Sequence, residues 1–94
     1  MSPTLTELED VLRSRLAERP EGSYTATLFA DGDLIQRKIM EEAFETCLEL
    51  GKPEVGHERL VSEAADLVFH LAVGLVSTGA SFDEVLAELD RRKA

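Results

Sequence analysis

Between Leu60 and Val76 the chain reads LVSEAADLVFHLAVGLV, apolar nearly all round, with Glu63, Asp66 and His70 as its only ionisable residues. A helix greasy on almost every side belongs in the centre of a structure and not on its surface. At about 100° per residue the three ionisable groups fall within about 60° of one another. The chain must therefore bury a helix that carries a narrow acidic stripe.

A matching stripe lies upstream. Lys38, Glu41, Glu42, Glu45 and Glu49 share a sector of about 100°, with Ile35, Ile39, Met40, Ala43, Phe44 and Cys47 opposite. Taken alone, this is an ordinary amphipathic helix with a solvated acidic face, and Cys47 is a small core hydrophobe. The fourth helix changes that reading. Positions 38, 42, 45 and 49 step by four, three and four, as do 59, 63, 66 and 70. A short link, KPEVGH, joins the two segments, so they are expected to pack antiparallel with the stripes level. That register sets Glu49 against Arg59, Glu45 against Glu63, Glu42 against Asp66 and Lys38 against His70. The two middle levels hold acids only.

The remaining elements are helical too. Thr4-x-x-Glu7 reads as a capping box before Leu5, Leu8, Val11, Leu12 and Leu16, predicting a first helix over about 5–18. RPEG breaks it, and Ser23 is expected to cap a short helix over 24–30 that Gly32 closes. Asp33 is the expected N-cap of a third helix ending at Gly51; the fourth runs over about 57–78 and stops at Gly79. Ser81-x-x-Glu84 opens a last amphipathic helix through Val85, Leu86 and Leu89. No strand-like alternation is present. The expected fold class is all-α, an antiparallel bundle of four to five helices in one domain spanning residues 1–94.

Composition narrows the function. A net charge of −9 argues against nucleic acid, which calls for clustered Lys and Arg, and against anionic membrane surfaces. The single cysteine cannot form an internal disulfide. The first fifteen residues carry Glu7, Glu9 and Asp10 and no long apolar run, so no signal peptide is visible and a cytoplasmic location is expected.

Four carboxylates converging across helix axes roughly 8–10 Å apart repel one another and lose hydration. Either Arg or Lys from another helix neutralises Glu63 and Asp66, or a cation sits between the stripes. A hard divalent ion with oxygen ligands, Mg²⁺ or Mn²⁺, suits such a donor set, completing its shell from water and substrate phosphates. Di-iron bundles use Glu-x-x-His, whereas the third position after Glu63 is Asp66.

EEAFE followed by EAAD resembles the acid-pair signature of the all-α NTP pyrophosphohydrolase superfamily, the MazG-like group. Within it, PEGSYTATLFADG, KIMEEAFE, SEAADLVFHL and GASFDEVLAEL together resemble the phosphoribosyl-ATP pyrophosphohydrolases of histidine biosynthesis over nearly the whole chain. The resemblance implies hydrolysis of phosphoribosyl-ATP to phosphoribosyl-AMP and pyrophosphate, the second step of that pathway. It implies Glu42, Glu45, Glu63 and Asp66 as Mg²⁺ ligands, with Glu41 a further ligand or water orienter; on chemical grounds a carboxylate not committed to the metal, Glu41 or Glu45, is the expected general base. The resemblance also implies that Lys38 meets a phosphate and that Ser23, Tyr24 and Thr25 form a substrate wall; His70 is expected to be either a further substrate contact or a satisfied core histidine. Met40 stands where the family commonly has glycine, and Leu34 where it often has lysine. The next step of the pathway is a cyclohydrolase, which some relatives carry fused. No such segment is present in these residues, so a cyclohydrolase partner is expected to be a separate chain.

Two other readings share parts of this pattern. A MazG-like house-cleaning nucleotide pyrophosphohydrolase shares the acids but not the SYTA segment, and a non-catalytic helical dimer uses the acids structurally. In each reading the greasy fourth helix is too much for a few helices to cover, so a homodimer is expected.

Overall fold

The computed structural model describes residues 3–93. It consists of five helices: α1 (Pro3–Glu18), α2 (Tyr24–Phe29), α3 (Gly32–Leu50), α4 (His57–Ser77) and α5 (Phe82–Arg92). Among the described residues there is no strand, so the chain is all-α as its periodicity requires.

Most of the inter-helix packing lies in the α3–α4 pair. Glu49 meets Arg59 at the linked end, while Ile35 and Ile39 lie against Gly74 at the far end, which makes the pair antiparallel. Gly74 allows this closeness: a Cβ there would sit 3.2 Å from Ile39 Cδ1. A methyl there would require the Ile39 side chain to give by a few tenths of an ångström. That core is Leu12, Leu28, Phe29, Ile35, Ala72, Val73, Val76 and Phe82, drawn from all five helices and gathered around the C-terminal half of α4. The acidic levels lie beyond it along the same helix pair.

The helix ends follow local chemistry. Ser23 Oγ accepts from Ala26 N, and Ser81 Oγ accepts from Glu84 N while its hydroxyl lies 3.3 Å from the Glu84 carboxylate. Gly79, at φ +81, closes α4: its N–H bonds Val76 O and that of Ala80 bonds Leu75 O, the Schellman pattern that a left-handed glycine permits.

Several expectations are corrected. Asp31, not Asp33, caps α3, accepting from Leu34 N at 3.1 Å; Gly32 opens that helix instead of closing α2, which ends at Phe29 with Ala30 as its C-cap. Helix α1 already begins at Pro3, so Thr4 lies inside its first turn. Val11 is half exposed, and Glu9 is buried in its stead. Cys47 is exposed and is no core residue.

The largest correction concerns α3 as a whole. Ile35 and Ile39 reach the core, but further along the apolar side faces outward, with Met40 and Phe44 each 63% exposed, while Glu42 and Glu49 are buried. Packing the acidic stripes of α3 and α4 together forces this inversion, because the opposite faces then point away from the pair. Helix α4 is likewise uncovered at Val61 and Val68. It is long and apolar enough to cross a membrane by length and composition alone.

Candidate functional site

The site is built on the middle of the α3–α4 pair. Glu42 and Glu45 lie three residues apart on α3 and so project from one face. Glu63 reaches the same point from α4, and one carboxylate oxygen from each of Glu42, Glu45 and Glu63 lies within 4.8 Å of the others. Asp66, one turn along α4, lies outside this triad but close enough for its charge to raise the pKa of both Glu42 and Glu63.

Electrostatics mark the cluster as uncompensated. Burial, first of all, pushes Glu42 up from the ordinary carboxylate value, followed by the Glu45 carboxyl beside it and the charge of Asp66; Lys38 opposes weakly. Glu63 is raised first by the adjacent Glu45 carboxyl, then by burial and by its acidic neighbours. Glu42 Oε2 and Glu63 Oε2 are both buried without a hydrogen-bond partner. Buried acceptors are normally satisfied, so two orphaned carboxylate oxygens facing a third carboxylate form a site that fits a cation. All donors are oxygens, which selects a hard divalent ion.

Around the triad, Lys38 Nζ lies 3.1 Å from Glu41 Oε1 and 3.6 Å from Glu42 Oε1. Its pKa is raised, chiefly by the hydrogen bond to Glu41. Lys38 therefore pairs along its own helix and does not meet His70, contrary to the level-by-level register. Glu41 remains half exposed and outside the triad. Ser23 caps α2 with its hydroxyl, and Thr25 follows on the same short helix. Tyr24, 52% exposed, places its hydroxyl 2.9 Å from His70 Nε2.

Glu49 stands apart from the triad. It lies 2.9 Å from Lys52 and 3.5 Å from Arg59, and these cations hold its pKa below the ordinary range. Periodicity alone did not single out Glu9. It is 2% exposed and its Oε2 accepts from Phe82 N at 3.2 Å and from Arg13 at 3.3 Å. Its role is to cap α5 from a distance of 73 residues, and no local signal announces it.

A pair of antiparallel helices that brings one buried and two half-buried carboxylates together defines the class: an all-helical protein with an acidic cluster that fits a cation. Comparison with known proteins gives the family. The family model described as phosphoribosyl-ATP pyrophosphohydrolase matches residues 5–93, and the chain belongs to that family. It is 47% identical over 93 residues to a phosphoribosyl-ATP pyrophosphatase of Metallosphaera sedula, covering 98% of each chain. It is 47% identical to that of Leptospira biflexa, over 94% of this chain and 95% of the relative. Against that of Pyrobaculum islandicum the figures are 45%, 94% and 93%.

Proposed function

We propose that this chain, a hydrolase of the phosphoribosyl-ATP diphosphatase type in histidine biosynthesis, splits phosphoribosyl-ATP into phosphoribosyl-AMP and pyrophosphate with a divalent cation held between α3 and α4. The observation that carries the reading is the convergence of Glu42, Glu45 and Glu63 with two orphaned buried oxygens. Glu42, Glu45, Glu63 and Asp66 hold the ion, most simply Mg²⁺, with Mn²⁺ as the alternative. When bound, it neutralises charge on the phosphoanhydride oxygens and acidifies water.

The side chains around the cage divide the remaining work. Glu45 lies between Glu42 and Glu63 and is committed to the cage, which leaves Glu41 to orient the attacking water and accept its proton. Lys38 sits beside Glu41, where its ammonium can meet a substrate phosphate. Ser23, Tyr24 and Thr25 at the start of α2 form the substrate wall.

The uncovered apolar faces support a homodimer. Met40 and Phe44 on α3 are exposed, and a groove between α1 and α4, lined by Leu5, Leu8, Val61, Ala65, Val68 and Phe69, measures about 400 Å³. The radius of gyration, 14.6 Å, exceeds the roughly 12 Å of a compact chain of this length. A second copy covering these faces completes the bundle, makes a membrane unnecessary for α4 and suits a cytoplasmic enzyme.

The test is pyrophosphate release from phosphoribosyl-ATP with and without Mg²⁺, with dCTP and dUTP as competitors. The expected result is Mg²⁺-dependent release from phosphoribosyl-ATP alone. Full Mg²⁺-dependent turnover by Glu42→Gln and Asp66→Asn would refute the metal assignment.

A further inference from the structure

His70 is a buried imidazole, 6% exposed, one turn beyond Asp66 on α4. Its Nδ1 lies 2.7 Å from the backbone carbonyl of Asp66. A carbonyl oxygen only accepts, so Nδ1 carries a proton and donates to it, while Nε2 is bonded to the Tyr24 hydroxyl at 2.9 Å. Phe69 packs edge-on against the ring at 5.1 Å between centroids, and Tyr24 does so at 6.0 Å. Both nitrogens are committed and the ring is enclosed. Such a residue has no free atom with which to meet a substrate.

What it does reach is Tyr24, the half-exposed residue at the start of α2. Helix α2 has only six residues, too short to hold its own orientation. Tyr24 also lies near enough to Lys38 to raise that amine's pKa. The chain Asp66 carbonyl, His70 imidazole, Tyr24 hydroxyl thus runs from the acid-bearing helix to the wall beside Lys38.

We propose that His70 is a positioning residue: a strut that locks Tyr24, and with it the α2 wall, at a set distance from the carboxylate cluster, so that substrate meets a preformed surface. This rests on the functional reading given above and changes the role of His70 from substrate contact to support. A wall held in advance lowers the ordering cost of binding and acts on substrate affinity, not on the chemical step.

The test compares Tyr24→Phe, His70→Asn, His70→Gln and the Tyr24→Phe/His70→Asn double variant. Asn keeps an amide near Nδ1 for the Asp66 carbonyl but cannot reach Tyr24, whereas Gln places an amide near Nε2. Tyr24→Phe and His70→Asn are expected each to raise KM for phosphoribosyl-ATP roughly 3- to 10-fold with kcat within about twofold. The double variant is expected to be no worse than either single one, and His70→Gln to recover most of the loss. Nitrogen NMR of the imidazole is expected to show a protonated Nδ1, with an Nε2 signal that shifts in Tyr24→Phe. Additive losses, a fall in kcat at unchanged KM, or His70→Gln as impaired as His70→Asn would overturn the strut. If the wild type releases no pyrophosphate, the functional reading fails and the imidazole signal alone judges the strut: an Nε2 shift in Tyr24→Phe supports it, and an unmoved one overturns it.

Discussion

Glu42 and Glu49 are the same residue type on the same face of one helix, two turns apart, and each is 6% exposed. Their pKa values nevertheless move in opposite directions. Glu49 is met by Lys52 and Arg59, which stabilise its charge. Glu42 is met by Glu45, by the charge of Asp66 and, only at 3.6 Å, by Lys38. Burial alone therefore does not distinguish a rim salt bridge from a functional carboxylate. The partner supplied by the facing helix does: α4 presents Arg59 at the linked end and Glu63 and Asp66 one and two turns further along.

The largest test of that difference is activity. Glu42→Gln and Glu63→Gln are expected to lower Mg²⁺-dependent pyrophosphate release roughly 100-fold or more, as loss of a group that stabilises transition-state charge does. Glu49→Gln is expected to stay within a fewfold of wild type. Equal losses at positions 42 and 49 would erase the distinction.

Stability should separate the same residues with the opposite sign. In cation-free protein at neutral pH, Glu42→Gln removes an uncompensated buried charge and is expected to raise Tm. Glu49→Gln leaves Lys52 and Arg59 without their partner and is expected to lower it. Saturating Mg²⁺ should reverse the ranking of Glu42→Gln and wild type, since an ion at 100 times its Kd adds about 2.7 kcal/mol to the protein that binds it. Thermal melts with and without Mg²⁺ decide this.

The pH dependence follows from the directions of the shifts. Glu42 and Glu63 have folded values above the ordinary one, so between the two values the folded chain holds more protons than the unfolded chain. Their contribution to stability therefore falls as pH rises through that window and recovers as pH drops. Glu49, with a lowered folded value, contributes above the ordinary value and loses that contribution as pH falls toward its folded one. Cation-free melts of Glu42→Gln should lack part of the gain on mild acidification that wild type shows, while those of Glu49→Gln should keep it. The smallest effect is expected for Arg59→Ala: its side chain is largely exposed and Lys52 still holds Glu49, so the loss is at most about 1 kcal/mol by denaturant melts.

The antiparallel α3–α4 pairing was readable from the sequence because both stripes step alike and a short link joins them; the ion pair of Glu49 with Arg59 shows it at the linked end, while Lys38 departs from its level by pairing along its own helix. The outward face of α3 was not readable in the same way. A periodicity argument assumes that the apolar side of a helix faces its own chain's core, and Met40, Phe44 and Cys47 face away because the acidic side is taken by α4. Asp31 and Asp33 satisfy the same capping rule, and only the end of α2 at Phe29 decides between them. The bond of Tyr24 to His70 and that of Glu9 to Phe82 join residues 46 and 73 positions apart, where no local pattern can announce a partner.

The central claim is that the acids of α3 and α4 form a cation cage and not a set of structural charges. Calorimetric titration of Mg²⁺ into wild type, Glu63→Gln and Glu49→Gln tests it without any substrate. The account predicts binding by wild type and by Glu49→Gln, and loss of it in Glu63→Gln. Unchanged binding in Glu63→Gln, or none in the wild type, would contradict it.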